Sequence, residues 1–70
     1  MNLLKHQFAS RLKELRSKAG ITQEQLAEKV DISVRSLAYL ESGENGCRFS
    51  NLQLLAKGVG VEVKDLFDFG

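Results

Sequence analysis

The chain has 70 residues, 43% of them hydrophobic and 27% charged, with a formal net charge of +1. That makes a single small domain, residues 1–70, which buries only about 60% of its unfolded surface; a disordered segment and a uniformly basic nucleic-acid coat are excluded. One cysteine, Cys47, and one histidine, His6, also exclude an internal disulfide and a structural zinc site.

There is no proline, and Val, Ile and Thr alternate with polar residues only over short stretches such as Val61-Glu62-Val63-Lys64, so helices are expected throughout. The N-terminal MNLLKHQF has no apolar run long enough for a signal peptide, and no later segment could span a membrane; a cytoplasmic location is expected. Leu4, Phe8, Leu12, Leu15 and Ala19 mark one face of a first helix, which Gly20 ends. Among residues 1–20, Lys5, Arg11, Lys13, Arg16 and Lys18 stand against Glu14 alone, whereas residues 21–46 are net acidic. Thr22 and Gln25 form a capping box for a second helix, with Ile21 stapled onto Leu26 and Leu26, Ala27 and Val30 buried. Ser33 is the N-cap of a third helix, Ile32 staples onto Leu37, and Gly43 ends it. After the turn-rich loop GENGCR, Leu52, Leu55, Ala56 and Val59 define a fourth helix closed by Gly60, and Val63, Leu66 and Phe67 a short fifth. The expected fold is all-α, with five helices.

Only Asp31 and Ile32 separate Val30 from Ser33, so the second and third helices meet across a very short turn. That is helix-turn-helix spacing, over about residues 22–43, and in DNA-binding proteins the second helix of such a pair enters the major groove. At 100° steps Leu37 and Leu40 face the core with Ser36 beside them, while Val34, Arg35, Ala38, Tyr39 and Ser42 share the other side. A guanidinium, a phenol and two apolar groups suit base edges better than a Lys/Glu-rich solvated face would. The competing reading is an exposed helix face with no partner.

At this point the sequence resembles the lambda-repressor-like, Cro-type (XRE-like) helix-turn-helix regulators. The matching residues are Ile21-Thr22-Gln23, Leu26-Ala27, Ile32-Ser33, Leu37, Leu40-Glu41-Ser42-Gly43, Leu52, Leu55-Ala56, Val59-Gly60-Val61 and Asp65-Leu66-Phe67. The likeness runs without a gap from Arg11 to Phe67. It implies a compact five-helix DNA-binding domain. Ser33, Val34, Arg35, Ser36 and Tyr39 are expected to meet bases, and Thr22, Gln23, Asn45 and Arg48 to meet phosphates. It also implies that Arg16 in the first helix pairs with Glu41, which lies at the edge of the third helix's core face. Thr22 and Ser33 serve as caps on either reading. Three positions depart from the family's pattern. Asp31 stands where relatives usually have glycine, in a turn that commonly needs positive φ. Cys47 replaces a frequent proline, and Arg48 a frequent capping serine, for which Ser50 with Gln53 offers a substitute capping box.

Catalysis finds no footing: His6 and Cys47 lack placed partners, and there is no glycine-rich phosphate loop. No cofactor is expected. A better rival is a protein-interaction module, an antitoxin or adaptor that binds a partner protein such as a toxin as well as DNA. The tail VGVEVKDLFDFG would serve such a partner, or a second copy of the chain. Val61, Val63, Leu66, Phe67 and Phe69 are more apolar residues than one short helix needs for its own core. Leu66 and Phe67 are expected to close the core. Val61, Val63 and Phe69 are expected to form a homodimer interface within about residues 59–70, joined by Leu54 from the fourth helix.

Overall fold

The computed structural model describes residues 3–43 and 49–69. Four α-helices follow in chain order: α1 (Leu3–Ala19), α2 (Gln23–Val30), α3 (Val34–Ser42) and α4 (Phe49–Val59), and then a 3-10 helix (Val63–Phe67). The expected fifth α-helix is therefore a five-residue 3-10 turn. Its ends explain its brevity: the Glu62 N–H donates to Asp65 Oδ2 at 3.0 Å, and the Asp68 N–H closes three residues back on the Asp65 carbonyl at 3.3 Å. Helix α4 starts at Phe49, so Ser50 sits inside its first turn and does not cap it. Asn45, Cys47 and Arg48, and with them the expected loop contacts, lie outside the described residues.

Each of the five elements gives the core one fully buried leucine: Leu12, Leu26, Leu37, Leu55 and Leu66. Around them pack Phe8, Leu15, Ala27, Val30, Leu40, Ala56 and Val59. In α1 the buried stripe is shorter than its periodicity predicts. It runs from Phe8 to Leu15 and includes Ala9, while Leu4 and Ala19 are exposed near the two ends of the helix. Gly58 sets the approach of α4 to α2, because a Cβ there would lie 2.7 Å from Leu26 Cδ1 and 3.5 Å from Val30 Cγ1. Arg11 clasps α1 to the 3-10 helix, with Nε donating to the Asp65 carbonyl at 2.9 Å and Nη1 to Glu14 Oε1 at 2.7 Å. That hydrogen bond, with the charge of Lys18 nearby, holds the Glu14 carboxyl below its ordinary range.

The C-terminal apolar residues divide differently from expectation. Val61 and Val63 are half-buried against the core, which they close together with Leu66. Phe67 is instead 39% exposed. Its ring stacks on that of Phe8 at 5.5 Å and meets the exposed Phe69 edge-on at 6.2 Å. Phe67 thus covers buried Phe8 from outside, leaving one ring face toward the surface.

Between α2 and α3, Asp31 adopts the left-handed conformation, φ 56° and ψ 46°. Its N–H points to the Ala27 and Glu28 carbonyls, and the Ile32 N–H bonds Ala27 O at 3.0 Å. These bonds close α2 and set the turn. A left-handed L-residue costs about 1–2 kcal/mol, partly offset for aspartate by local polar contacts, while glycine adds unfolded-state entropy of about 0.5–1 kcal/mol. Asp31→Gly should therefore raise stability by about 0.5–1 kcal/mol in thermal or urea denaturation. A loss of stability would mean that the aspartate side chain itself stabilises the turn.

Candidate nucleic-acid interface

Both helix starts of the α2–α3 pair are fixed by their own side chains. Thr22 Oγ1 accepts the Gln25 N–H at 3.1 Å while the Thr22 N–H donates to Gln25 Oε1 at 2.8 Å. Ser33 caps α3 by accepting the Ser36 N–H at 3.0 Å, and its hydroxyl also meets that of Ser36 at 3.0 Å. Gly43, at φ 82°, ends α3 in the left-handed conformation. The backbone N–H groups at the start of α2 that have no partner within the helix are suited to an anion.

One face of α3 is committed to the interior, with Leu37, Leu40 and Glu41 buried. On the opposite face Val34, 40% exposed, stands with exposed Arg35 and Ser36, and half-buried Ala38 and Tyr39 lie alongside. Arg35 and Tyr39 form a pair that the sequence reading did not contain. The guanidinium carbon lies 5.8 Å from the centre of the phenol ring, and Arg35 Nε donates to Tyr39 Oη at 3.4 Å. Their i,i+4 spacing is the signal that could have found it.

Beneath that face lies a buried polar cluster. Arg16 Nε donates to Glu41 Oε2 at 2.7 Å and Nη2 to Oε1 at 3.1 Å, a bidentate pair whose side chains are 16% and 1% exposed. Arg16 Nη1 also donates to the Ile21 carbonyl at 2.9 Å, at the entrance to α2. Gln23 Nε2 adds a third donor to the carboxylate, bonding Oε1 at 3.0 Å. One carboxylate on α3 thereby ties together α1, the α1–α2 turn and the first residue of α2. A fork-shaped donor with a delocalised charge is the side chain that can meet both oxygens at once, which lysine cannot do. The contact between Gln23 and Glu41 has no counterpart in the sequence reading, because nothing in the spacing of two residues 18 apart announces it.

Of the residues expected at the site, Thr22, Gln23, Ser33, Val34, Arg35, Ser36 and Tyr39 lie on α2, α3 or their N-caps. Among the described residues no helix is long and apolar enough to cross a membrane.

A helix-turn-helix family model, HTH_3, matches residues 12–66. Control protein C.BamHI of Bacillus amyloliquefaciens is 32% identical over 63 residues, covering 89% of this chain and 78% of that protein. An uncharacterized HTH-type transcriptional regulator of Archaeoglobus fulgidus is 33% identical over 60 residues, 86% of each chain. Among solved structures, the restriction-modification controller protein C.AhdI from Aeromonas hydrophila superposes with a TM-score of 0.86 at 31% identity, over 89% of this chain and 94% of its own. The matched region takes in the capped helix pair, the buried Arg16–Glu41 tie and all five core leucines, and the chain belongs to the HTH_3 (XRE-like) family of helix-turn-helix DNA-binding transcriptional regulators.

Proposed function

We propose that this chain is a sequence-specific regulator, a repressor or autoregulator, that binds a pseudo-palindromic operator as a homodimer with α3 in the major groove. The observation that carries the reading is the exposed first turn of α3, Val34, Arg35 and Ser36, held at a fixed angle by the part-buried Arg16–Glu41–Gln23 cluster. Ser33, Val34, Arg35, Ser36 and Tyr39 meet base edges, and Thr22 and Gln23 meet a phosphate at the start of α2. Asn45 and Arg48 add further phosphate contacts.

Each protomer carries one recognition helix, whereas half-sites one turn apart place two such helices about 34 Å from each other. One copy therefore reads one groove. Leu54, Phe67 and Phe69, all exposed, supply apolar surface for the two-fold contact, with the outer parts of Val61 and Val63 at its border. The likeness to C.AhdI, a restriction-modification controller protein, favours control of a restriction-modification system over the antitoxin or adaptor alternative.

Selection of duplexes from a random-sequence pool by the purified protein tests the reading. Enriched sequences should carry two inverted half-sites about one helical turn apart. Sedimentation over a concentration series, with and without a selected duplex, should show two protomers per duplex at saturation. A single bound protomer would sink the dimer and return the aromatic tail to a partner protein.

A further inference from the structure

We infer that Glu41 is a positioning residue for DNA binding, holding the Gln23 side-chain amide so that Nε2 presents its second hydrogen to a DNA phosphate. This rests on the helix-turn-helix reading above. The observation is the third bond to the carboxylate. Pairing with Arg16 alone would account for a tie between α1 and α3. Oε1 also accepts Gln23 Nε2 at 3.0 Å, and Gln23 is the first residue of α2, where unpaired backbone N–H groups favour an anion.

A glutamine amide carries a donor and an acceptor of nearly equal reach, so a half-turn of its last torsion exchanges them. Facing an anionic phosphate, one orientation attracts and the other repels. A carboxylate only accepts, so a Gln23 oxygen turned toward Glu41 would meet oxygen against oxygen. Glu41 therefore excludes the flipped amide and commits Nε2 to the carboxylate through one hydrogen, leaving the other for the phosphate. The side chain is ordered before DNA arrives, which removes part of the entropy cost of fixing it on binding. The Glu41 side chain is itself 1% exposed, so its effect on DNA passes through Gln23.

The test compares Gln23→Met, the double variant Arg16→Met/Glu41→Met, and the triple variant that combines them. Replacing a buried ion pair by apolar side chains of similar volume tends to keep a fold intact, and melting curves without DNA check this. The probes are a duplex the protein itself selects from a random pool and an unselected duplex of equal length. Gln23→Met should weaken binding to both by about tenfold, the signature of a phosphate contact. The double variant should lose a similar factor, and adding Gln23→Met to it should cost about twofold or less. Ethylation of one backbone phosphate should interfere with binding of the parent and not of the double variant. A folded double variant that binds like the parent, or one in which Gln23→Met still costs tenfold, overturns the inference.

If the double variant does not fold, the side-chain amide protons of Gln23 in the parent decide, identified by their loss in Gln23→Met. One should exchange slowly with water in the free protein, and the other should shift on adding the selected duplex. Two fast-exchanging protons in the free protein overturn the inference. A protein that enriches no duplex overturns the DNA-binding reading instead, a result distinct from both.

Discussion

Glu41→Ala should cost about 3–5 kcal/mol of stability, because it strands a largely buried guanidinium. The Arg16 side chain is 16% exposed and donates twice to Glu41, and among the described residues alanine would leave it only the Ile21 carbonyl. Gln23 Nε2 would lose its acceptor in the same step. A domain of this size has about 3–10 kcal/mol in total, so the loss is comparable to the whole stability of the fold. In a thermal melt it should lower Tm by more than about 10 °C, and a visible fraction should be unfolded at room temperature. Arg16→Met/Glu41→Met should recover most of that loss, since it removes both charges together. A melt of Glu41→Ala within a degree or two of the parent would mean that the pair is solvated and does not hold α1 to α3.

How much of this was readable in advance depends on whether the signal was local. The αL turn at Asp31 was implied by family likeness, whereas the capping box of Thr22 with Gln25 and the Ser33 cap are decided by neighbours along the chain, and both are where the residues imply. Periodicity found the core stripes of α2 and α3 for the same reason. It overextended α1, since a helical face continues in sequence after the protein body has ended, and Leu4 and Ala19 have nothing left to pack against. The C-terminal tail failed differently. Composition shows an excess of apolar residues there but not which of them turn inward. That depends on a 3-10 geometry set by the Glu62 and Asp65 bond, which brings Val63 and Leu66 inward and sends Phe67 out over Phe8. At the interface, residue types on α3 were legible and their mutual contacts were not. The Arg16–Glu41 pair was implied by family likeness alone, and the bond from Gln23 to the same carboxylate became visible only once three segments met.

Arg35→Ala should cost about 1–3 kcal/mol of binding to the selected duplex while leaving binding to an unselected duplex nearly unchanged. The side chain projects from the second residue of α3, on the exposed face. Its Nε is engaged with Tyr39 Oη and its guanidinium lies against the phenol ring, which leaves the two Nη groups to meet guanine O6 and N7 end-on. The ring thereby supports the fork without occupying the donors that read the base. Tyr39→Phe keeps the ring that meets the base edge and supports the guanidinium, and loses the weak bond to Nε, so its effect should be small beside that of Arg35→Ala. Tyr39→Ala removes the support altogether and should reduce specificity in the same direction as Arg35→Ala, with less than additive loss in the double variant. Binding isotherms on the two duplexes at one fixed salt concentration measure the parent and all four variants on the same footing. Equal losses on selected and unselected DNA for Arg35→Ala would show that the guanidinium meets a phosphate, and base reading by α3 would then fall to Val34, Ser36 and Tyr39.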